Sequence, residues 1–348
     1  MRYTTLGRRT GLRVSELALG TAGLASGLPS GTDVTESRRI VDRFAEAGGT
    51  FVDTADSYQG SDSEEFLGHV LATDRDHFVL ASKYTLGGAA PGISTTGNSR
   101  KVMVRAVEAS LRRLRTDYLD VYWAHFPDPL TPVDEVVAAF DDLVRSGKIL
   151  HGALSNFPAW RVARASTLAE LRGWAPIVGV QVEYSLAERS PEREVLPMAE
   201  ALGLAAVVYS PLGGGLLTGK YRTSSEGRLS TLKAIVRTED TPRRRAVVDA
   251  VLRIAEEVGA SPAQVSMAWL RERGERSSSA IVPIVGPRSL AHLEEYLGSL
   301  DVVLSPEQYD ELDRTSRPEL GVPHETAHQR QPAIRAEQAF IPRPVTTG

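Results

Sequence analysis

Asp53, Tyr58, Lys83 and His125 each end or closely follow a short apolar run of the sequence, and their types suit one chemistry together. A phenol with an ordinary pKa near ~10 is a weak acid at neutral pH. A close ammonium favours the phenolate and lowers that pKa. A carboxylate beside the ammonium keeps it charged and aimed, and an imidazole can donate the hydrogen bond that orients an acceptor. The four groups together suit proton donation to a carbonyl oxygen. Each also has a plainer use: Asp53 as a turn cap, Tyr58 as a loop aromatic, His125 as a structural histidine, Lys83 as a solvated strand end. Lys83 tips the balance, because only five of the 40 Lys and Arg residues are lysines. In an arginine-rich chain, a lysine is there for its compact charge and movable pKa. The joint appearance of all four at run ends then favours chemistry over structure.

Such groups work only if the run ends converge. The runs are Leu17–Gly20, Thr50–Asp53, His77–Lys83, Tyr118–His125, Ile149–Asn156, Ile177–Val182, Leu204–Ser210 and Ala280–Val285. Several are apolar on both faces, as parallel strands covered by helices are. Between them lie helical stripes: Val133, Val136, Val137, Phe140, Leu143 and Val144 form one, and Ala246, Val247, Ala250, Val251, Ile254, Ala255 and Val258 another. Ser190-Pro191, Thr241-Pro242, Ser261-Pro262 and Ser305-Pro306 each pair an N-cap with a proline at the first helical position. Gly48-Gly49, Gly147 and Gly203 mark helix ends. Eight strand–helix alternations read as an α/β fold, a (β/α)8 TIM barrel, with residues 1–348 as a single domain. A doubly wound sheet is the competing architecture. It would want G-x-G-x-x-G after the first run, where Gly20-Thr21-Ala22-Gly23 is the nearest approach.

Barrel active sites form at the C-terminal ends of strands. Ser155-Asn156, Gln181 and Tyr209-Ser210 join the first four residues there. Three long loops leave the same rim: Thr21–Val34, Tyr84–Asn98 and Pro211–Thr241, the last with Gly213, Gly214, Gly215, Gly219 and Gly227. Tyr84, Trp123, Phe126 and Leu216 are the apolar candidates for a substrate pocket, and the loop sequences do not spell out its ligand. Arg317–Gly348 has scattered prolines and no periodicity, and reads as an irregular tail over or beside the barrel mouth. His151 falls near the start of its run, away from the rim, and reads as structural.

Composition narrows the classes. The 348 residues are 42% hydrophobic and 24% charged, an ordinary globular balance with a substantial core. A net charge of -4 offers no basic field for nucleic acid or a membrane surface. The absence of cysteine excludes disulfides and thiol chemistry. No apolar run reaches the roughly 18 residues needed to span a bilayer, and Met1–Leu6 lacks the apolar core of a signal peptide. The expectation is a cytoplasmic protein, and with no unpartnered apolar stripe, a monomer. A metal-dependent hydrolase would want several ligands at the rim, which offers one Asp and one His, so no metal site is expected. Ser155 has no histidine on its own strand end, which argues against a serine hydrolase.

Reduction of a carbonyl needs a hydride source, and the second half of the chain suits one. Asn156 and Gln181 can bond a carboxamide, and Tyr209 can stack on a nicotinamide ring. The glycines of Pro211–Gly215 let backbone approach a pyrophosphate. Gly286-Pro287-Arg288 opens a helix where this barrel usually binds phosphate, and Arg288 suits a 2′-phosphate, hence NADPH.

With these residues in place, the sequence resembles the aldo-keto reductase superfamily from roughly Tyr3 to Asp313. Phe51-Val-Asp-Thr-Ala-Asp-Ser-Tyr58, with Ser63-Glu64 and Leu67-Gly68, resembles its first signature. Tyr118-Leu-Asp-Val-Tyr-Trp-Ala-His125, then Pro127-Asp128, resembles the second. Gly152–Phe157, Tyr209–Gly215, Ile281–Gly286 and Leu293–Gly298 resemble the cofactor segments. The resemblance implies a catalytic tetrad of Asp53, Tyr58, Lys83 and His125, and NADPH/NADP+ bound without a Rossmann fold. It implies nicotinamide contacts from Ser155, Asn156, Gln181 and Tyr209. Gly20, Thr21, Ser210, Pro211, Leu212, Gly213, Gly215, Leu216, Gly286, Arg288, His292, Glu295 and Tyr296 complete the implied cofactor set. The sequence departs from the pattern at Gln59, where glycine is common, at His292, where Gln or Arg is frequent, and at Tyr296, where Asn commonly reaches the adenine. The implied activity is NADPH-dependent reduction of a small-molecule aldehyde or ketone. The alternative is a regulatory subunit like the potassium-channel β subunits that resemble this family, binding cofactor with little turnover.

Overall fold

A three-residue hairpin precedes the main sheet: β1 (Tyr3–Thr5) pairs antiparallel with β2 (Arg13–Ser15). Eight parallel strands follow and close into a barrel: β3 (Ala18–Gly20), β4 (Phe51–Asp53), β5 (Val79–Tyr84), β6 (Leu119–Ala124), β7 (Ile149–Ser155), β8 (Ile177–Glu183), β9 (Ala205–Tyr209) and β10 (Ile281–Val285). Each pairs with its neighbour in sequence, and β10 returns to β3 through Ile284 opposite Ala18. This computed structural model describes residues 1–25, 31–222 and 238–335. Gly227, part of the first rim loop and the tail beyond 335 lie outside the described residues. No described helix is long and apolar enough to cross a membrane.

The apolar runs form strands because both their faces are covered. Inward residues such as Phe51, Val79, Ala81, Val121, Trp123 and Val207 fill the barrel interior. Outward residues such as Val52, Leu80, Tyr122 and Val208 pack on the helices. These are α1 (Val34–Glu46), α2 (Asp62–Val70), α3 (Arg100–Leu114), α4 (Val133–Arg145), α5 (Ala159–Arg172), α6 (Val195–Leu202), α7 (Pro242–Val258), α8 (Pro262–Glu275), α9 (Leu290–Gly298), α10 (Pro306–Ser316) and α11 (His324–Ile334). Ser261 and Ser305 close capping boxes with Gln264 and Gln308, and Thr241 caps α7 through Arg244 N.

Three features differ from the sequence reading. Ser190-Pro191 starts only a 3-10 turn, Ser190–Arg193, and α6 begins at Val195. Glu194, between the two segments, has φ -145, outside the helical range, and separates them. The β1–β2 hairpin is too short to show periodicity, yet its Leu6 and Val14 plug the inner core from below. The stretch after Arg317 carries α11, a helix with no buried residue and therefore no apolar stripe to betray it. It lies beside the β8–α6 connection, where Arg193 donates to Leu320 O and His324 approaches Glu194 at 3.4 Å.

Candidate active site

Strand alternation decides which rim residues face inward. On β5, Val79, Ala81 and Lys83 share the inner face, so the Lys83 ammonium ends up inside the barrel and fully buried. Lys83 Nζ donates to Asp53 Oδ2 at 2.5 Å, to the Thr54 carbonyl at 2.8 Å and to Tyr58 Oη at 3.0 Å. The other Asp53 oxygen accepts from Gln181 Nε2 at 2.9 Å. A continuous chain, Gln181–Asp53–Lys83–Tyr58, therefore ends in a phenol on the wall of a cleft of about 550 Å³. Gln181 is thus bonded to the tetrad carboxylate, a link absent from the sequence reading, where it served only a carboxamide.

Tyr58 sits in a 3-10 turn whose next residue, Gln59, has φ 52. Glycine would adopt that left-handed conformation without strain, which is why Gln59 looked out of place. Its side-chain amide compensates by donating to Ala22 O at 2.5 Å, tying the Tyr58 turn to the β3 loop. His125 lines the cleft beside Tyr58, ring centroids 6.0 Å apart and edge-on. Its Nδ1 is buried and has no hydrogen-bond partner among the described residues.

The electrostatics depart from expectation at the phenol. Burial raises the Tyr58 pKa above its ordinary value and outweighs the Lys83 ammonium, which pulls it down. The sequence argument had counted only the ammonium. Burial also lowers the Lys83 pKa, but Asp53 and Tyr58 more than restore it, so the lysine is held charged. His125 is pushed down to about 3 by burial and by the Lys83 charge, so its imidazole is neutral. Asp56, not singled out from sequence, is buried, donates its backbone N–H to Lys83 O at 3.1 Å, and is pushed up to about 7 by burial and by Glu64.

The second half of the chain supplies the opposite wall. Asn156, at φ 61, donates to His125 O and Ser155 Oγ, both at 3.1 Å, and accepts from Tyr209 Oη at 2.9 Å. Ser210, at φ 54, follows. Such left-handed backbone at two strand ends is strain concentrated at one site. Ser210, Pro211, Leu212 and Gly215 continue the wall, and Gly286, Arg288, His292, Glu295 and Tyr296 complete it around β10. Gly20 also lines the cleft, and a Cβ there would lie 2.6 Å from the Ile284 side chain.

Several expected residues lie behind the wall instead of on it. Thr21 and Ser155 are fully buried, and Thr21 supports the rim through Asp53 O at 3.2 Å. Gly213 is buried in its turn, and Leu216 packs into the outer core. Phe126 reaches the cleft, but Tyr84 and Trp123 do not. Tyr84 follows the inward Lys83, so alternation sends it outward to stack on Tyr122 at 5.3 Å. Trp123 points inward, is fully buried and joins the inner core. As pocket-lining residues these two are corrected. Conversely, Ala22, Gly23, Thr218, Lys220 and Ile284 line the cleft and were missed, and Gly214 lines it with the other glycines of its loop. Lys220 carried the same signal as Lys83, its rarity as a lysine. No group of described His, Cys, Asp or Glu residues could hold a metal ion.

The cleft can hold a dinucleotide: amides and a tyrosine ring on one flank, glycine-rich backbone in the middle, basic side chains near β10, and the His125 imidazole beside Tyr58. A closed parallel barrel with this ionic chain at its C-terminal rim defines a class of oxidoreductase. The profile described as the Aldo/keto reductase family matches residues 16–317, and the chain belongs to that family. It is 35% identical over 349 residues to an aryl-alcohol dehydrogenase [NADP(+)] of Phanerodontia chrysosporium, covering 93% of this chain and 88% of the relative. It is 32% identical over 331 residues to the norsolorinic acid reductase of Aspergillus flavus, covering 92% and 82%. It is 35% identical over 317 residues to the oxidoreductase YrpG of Bacillus subtilis, covering 88% and 93%.

Proposed function

We propose that the protein reduces an aldehyde or ketone to the alcohol with NADPH, Tyr58 donating the proton. The observation that carries this reading is the buried chain from Asp53 through Lys83 to the Tyr58 hydroxyl on the cleft wall. When bound, NADPH supplies the hydride that the carbonyl carbon receives. Tyr58 is protonated at neutral pH, the state needed to donate to the carbonyl oxygen as its negative charge develops. The phenolate left behind lies 3.0 Å from the fully buried Lys83 ammonium, which stabilises it. Asp53 acts through Lys83 by keeping it charged, and Gln181 holds Asp53 in place. His125, neutral across the physiological range, offers a hydrogen bond to the same oxygen without competing as an acid. Arg288 is the side chain suited to a 2′-phosphate, in keeping with the NADP(+) in one relative's name.

An aromatic carbonyl compound is the substrate class favoured by the pocket. Phe126 stacks beside His125 with centroids 4.7 Å apart and remains 39% exposed at the cleft, an apolar face for a planar ring. A relative's name as an aryl-alcohol dehydrogenase points the same way. The test follows NADPH oxidation optically with aromatic aldehydes, in the wild type and in Tyr58→Phe. The variant should lose turnover by about 10²–10⁴-fold and keep its NADPH affinity. Equal turnover in both, or equal loss of binding and turnover, would refute the assignment.

A further inference from the structure

Three basic side chains share the β9–β10 side of the cleft: Arg288 after β10, His292 in the first turn of α9, and Lys220 in the 3-10 turn Lys220–Arg222. Glu295 stands one helical turn beyond His292 on the same wall. Arginine and lysine keep their charge at neutral pH, whereas an imidazole with an ordinary pKa near ~6.5 answers to its neighbours. Burial lowers the His292 pKa, Arg288 and Lys220 push it the same way, and Glu295 opposes them. Other charges packed against α9 are engaged elsewhere. From α1, Glu36 accepts from Leu290 N at 2.7 Å and Arg43 pairs with Glu294 at 2.7 Å. From α8, Arg271 donates to the carbonyls of Ser299 and Val302. Among the described residues, the charges that act on His292 are therefore two cations and one carboxylate.

We propose that His292 is a specificity-determining residue that takes up a proton when a 2′-phosphate enters beside Arg288 and Lys220, so that selection for the phosphorylated cofactor strengthens as the pH falls. This rests on the NADPH reading above. Burial, with the two cations adding to it, favours the neutral imidazole in the free protein, which limits repulsion between three positive groups. A phosphate dianion reverses the sign of the local field, and an opposite charge at contact raises an imidazole pKa by about 1–3. Between the free and bound pKa values, binding draws one proton from solution. A glutamine at this position would hydrogen-bond the phosphate but could not titrate.

The test is calorimetric titration of the full chain, wild type and His292→Gln, with adenosine 2′,5′-bisphosphate and with 5′-AMP at pH 6 and pH 8. The 2′-phosphate has its own pKa near ~6, common to both proteins, so the ratio of wild-type to variant affinity isolates the imidazole. For the bisphosphate that ratio should be about tenfold larger at pH 6 than at pH 8, and unchanged for 5′-AMP. Binding heats in buffers of different ionisation enthalpy should show proton uptake by the wild type beyond that of the variant. A ratio equal at both pH values, with the bisphosphate still preferred, overturns the proton coupling alone. Equal affinity for the two nucleotides at both pH values overturns it together with the NADPH reading.

Discussion

Replacing Asp53 by asparagine tests the ionic chain at its most buried point. Asp53 is 1% exposed and Lys83 is fully buried, so the substitution strands an ammonium with no counter-ion inside the barrel. Removing one partner of a buried pair costs about 3–5 kcal/mol. The pH dependence follows from the direction of each pKa. In the wild type the folded Lys83 pKa lies above its ordinary value, so its contribution is fully present below about pH 10.4 and constant from pH 6 to 9. In Asp53→Asn the burial that lowers the lysine pKa loses its main opponent, and the folded pKa falls below the unfolded one. The unfolded chain then binds more protons, and stability rises with pH by up to about 1.4 kcal/mol per unit. Urea denaturation at pH 7 and pH 9 should therefore show the gap between variant and wild type narrowing by up to about 2.7 kcal/mol. Adding Lys83→Met removes both charges and should recover much of the loss. A loss under about 1 kcal/mol, or a gap of constant size with pH, would show that Lys83 is not held charged by Asp53.

Two further outcomes follow from named contacts. Arg288→Ala should weaken NADPH binding by about tenfold to a hundredfold and leave NADH within a factor of about two, read by fluorescence titration; an unchanged ratio between the cofactors would remove Arg288 from the 2′-phosphate site. In α2, a Cβ at Gly68 would collide with the backbone carbonyl of Arg113 on α3. Gly68→Ala should therefore cost about 1–3 kcal/mol in the urea midpoint, and an unchanged midpoint would mean that the two helices can part without penalty.

Much of the barrel is legible in local pattern because burial on both faces leaves its mark residue by residue. The Ile177–Val182 and Ala280–Val285 runs become β8 and β10 within a residue, and Ser261 and Ser305 cap the helices they precede. Elements without that mark were not legible: the β1–β2 hairpin is three residues a side, and α11 buries nothing. At the site, Asp53, Tyr58 and Lys83 could be chosen by type and position before any contact was known. Tyr84 and Trp123 could not be assigned, because an aromatic at a strand end looks the same whether it faces the cleft, the inner core or the helices.

The sequence by itself determined the eight strands, the rim on which the polar groups gather and the family resemblance that ties them to carbonyl chemistry. Periodicity and residue type are local properties and survive being read one segment at a time. The tertiary structure alone decided that Gln181 bonds Asp53 across 128 positions, that Tyr209 anchors Asn156, that Gln59 holds the Tyr58 turn through Ala22, and that Lys220 joins Arg288 and His292. It also decided the sign of the Tyr58 perturbation, since burial outweighs a neighbouring ammonium only once the walls around the phenol exist. Closure of the barrel sets these pairings and that burial together, and neither is encoded within any single segment.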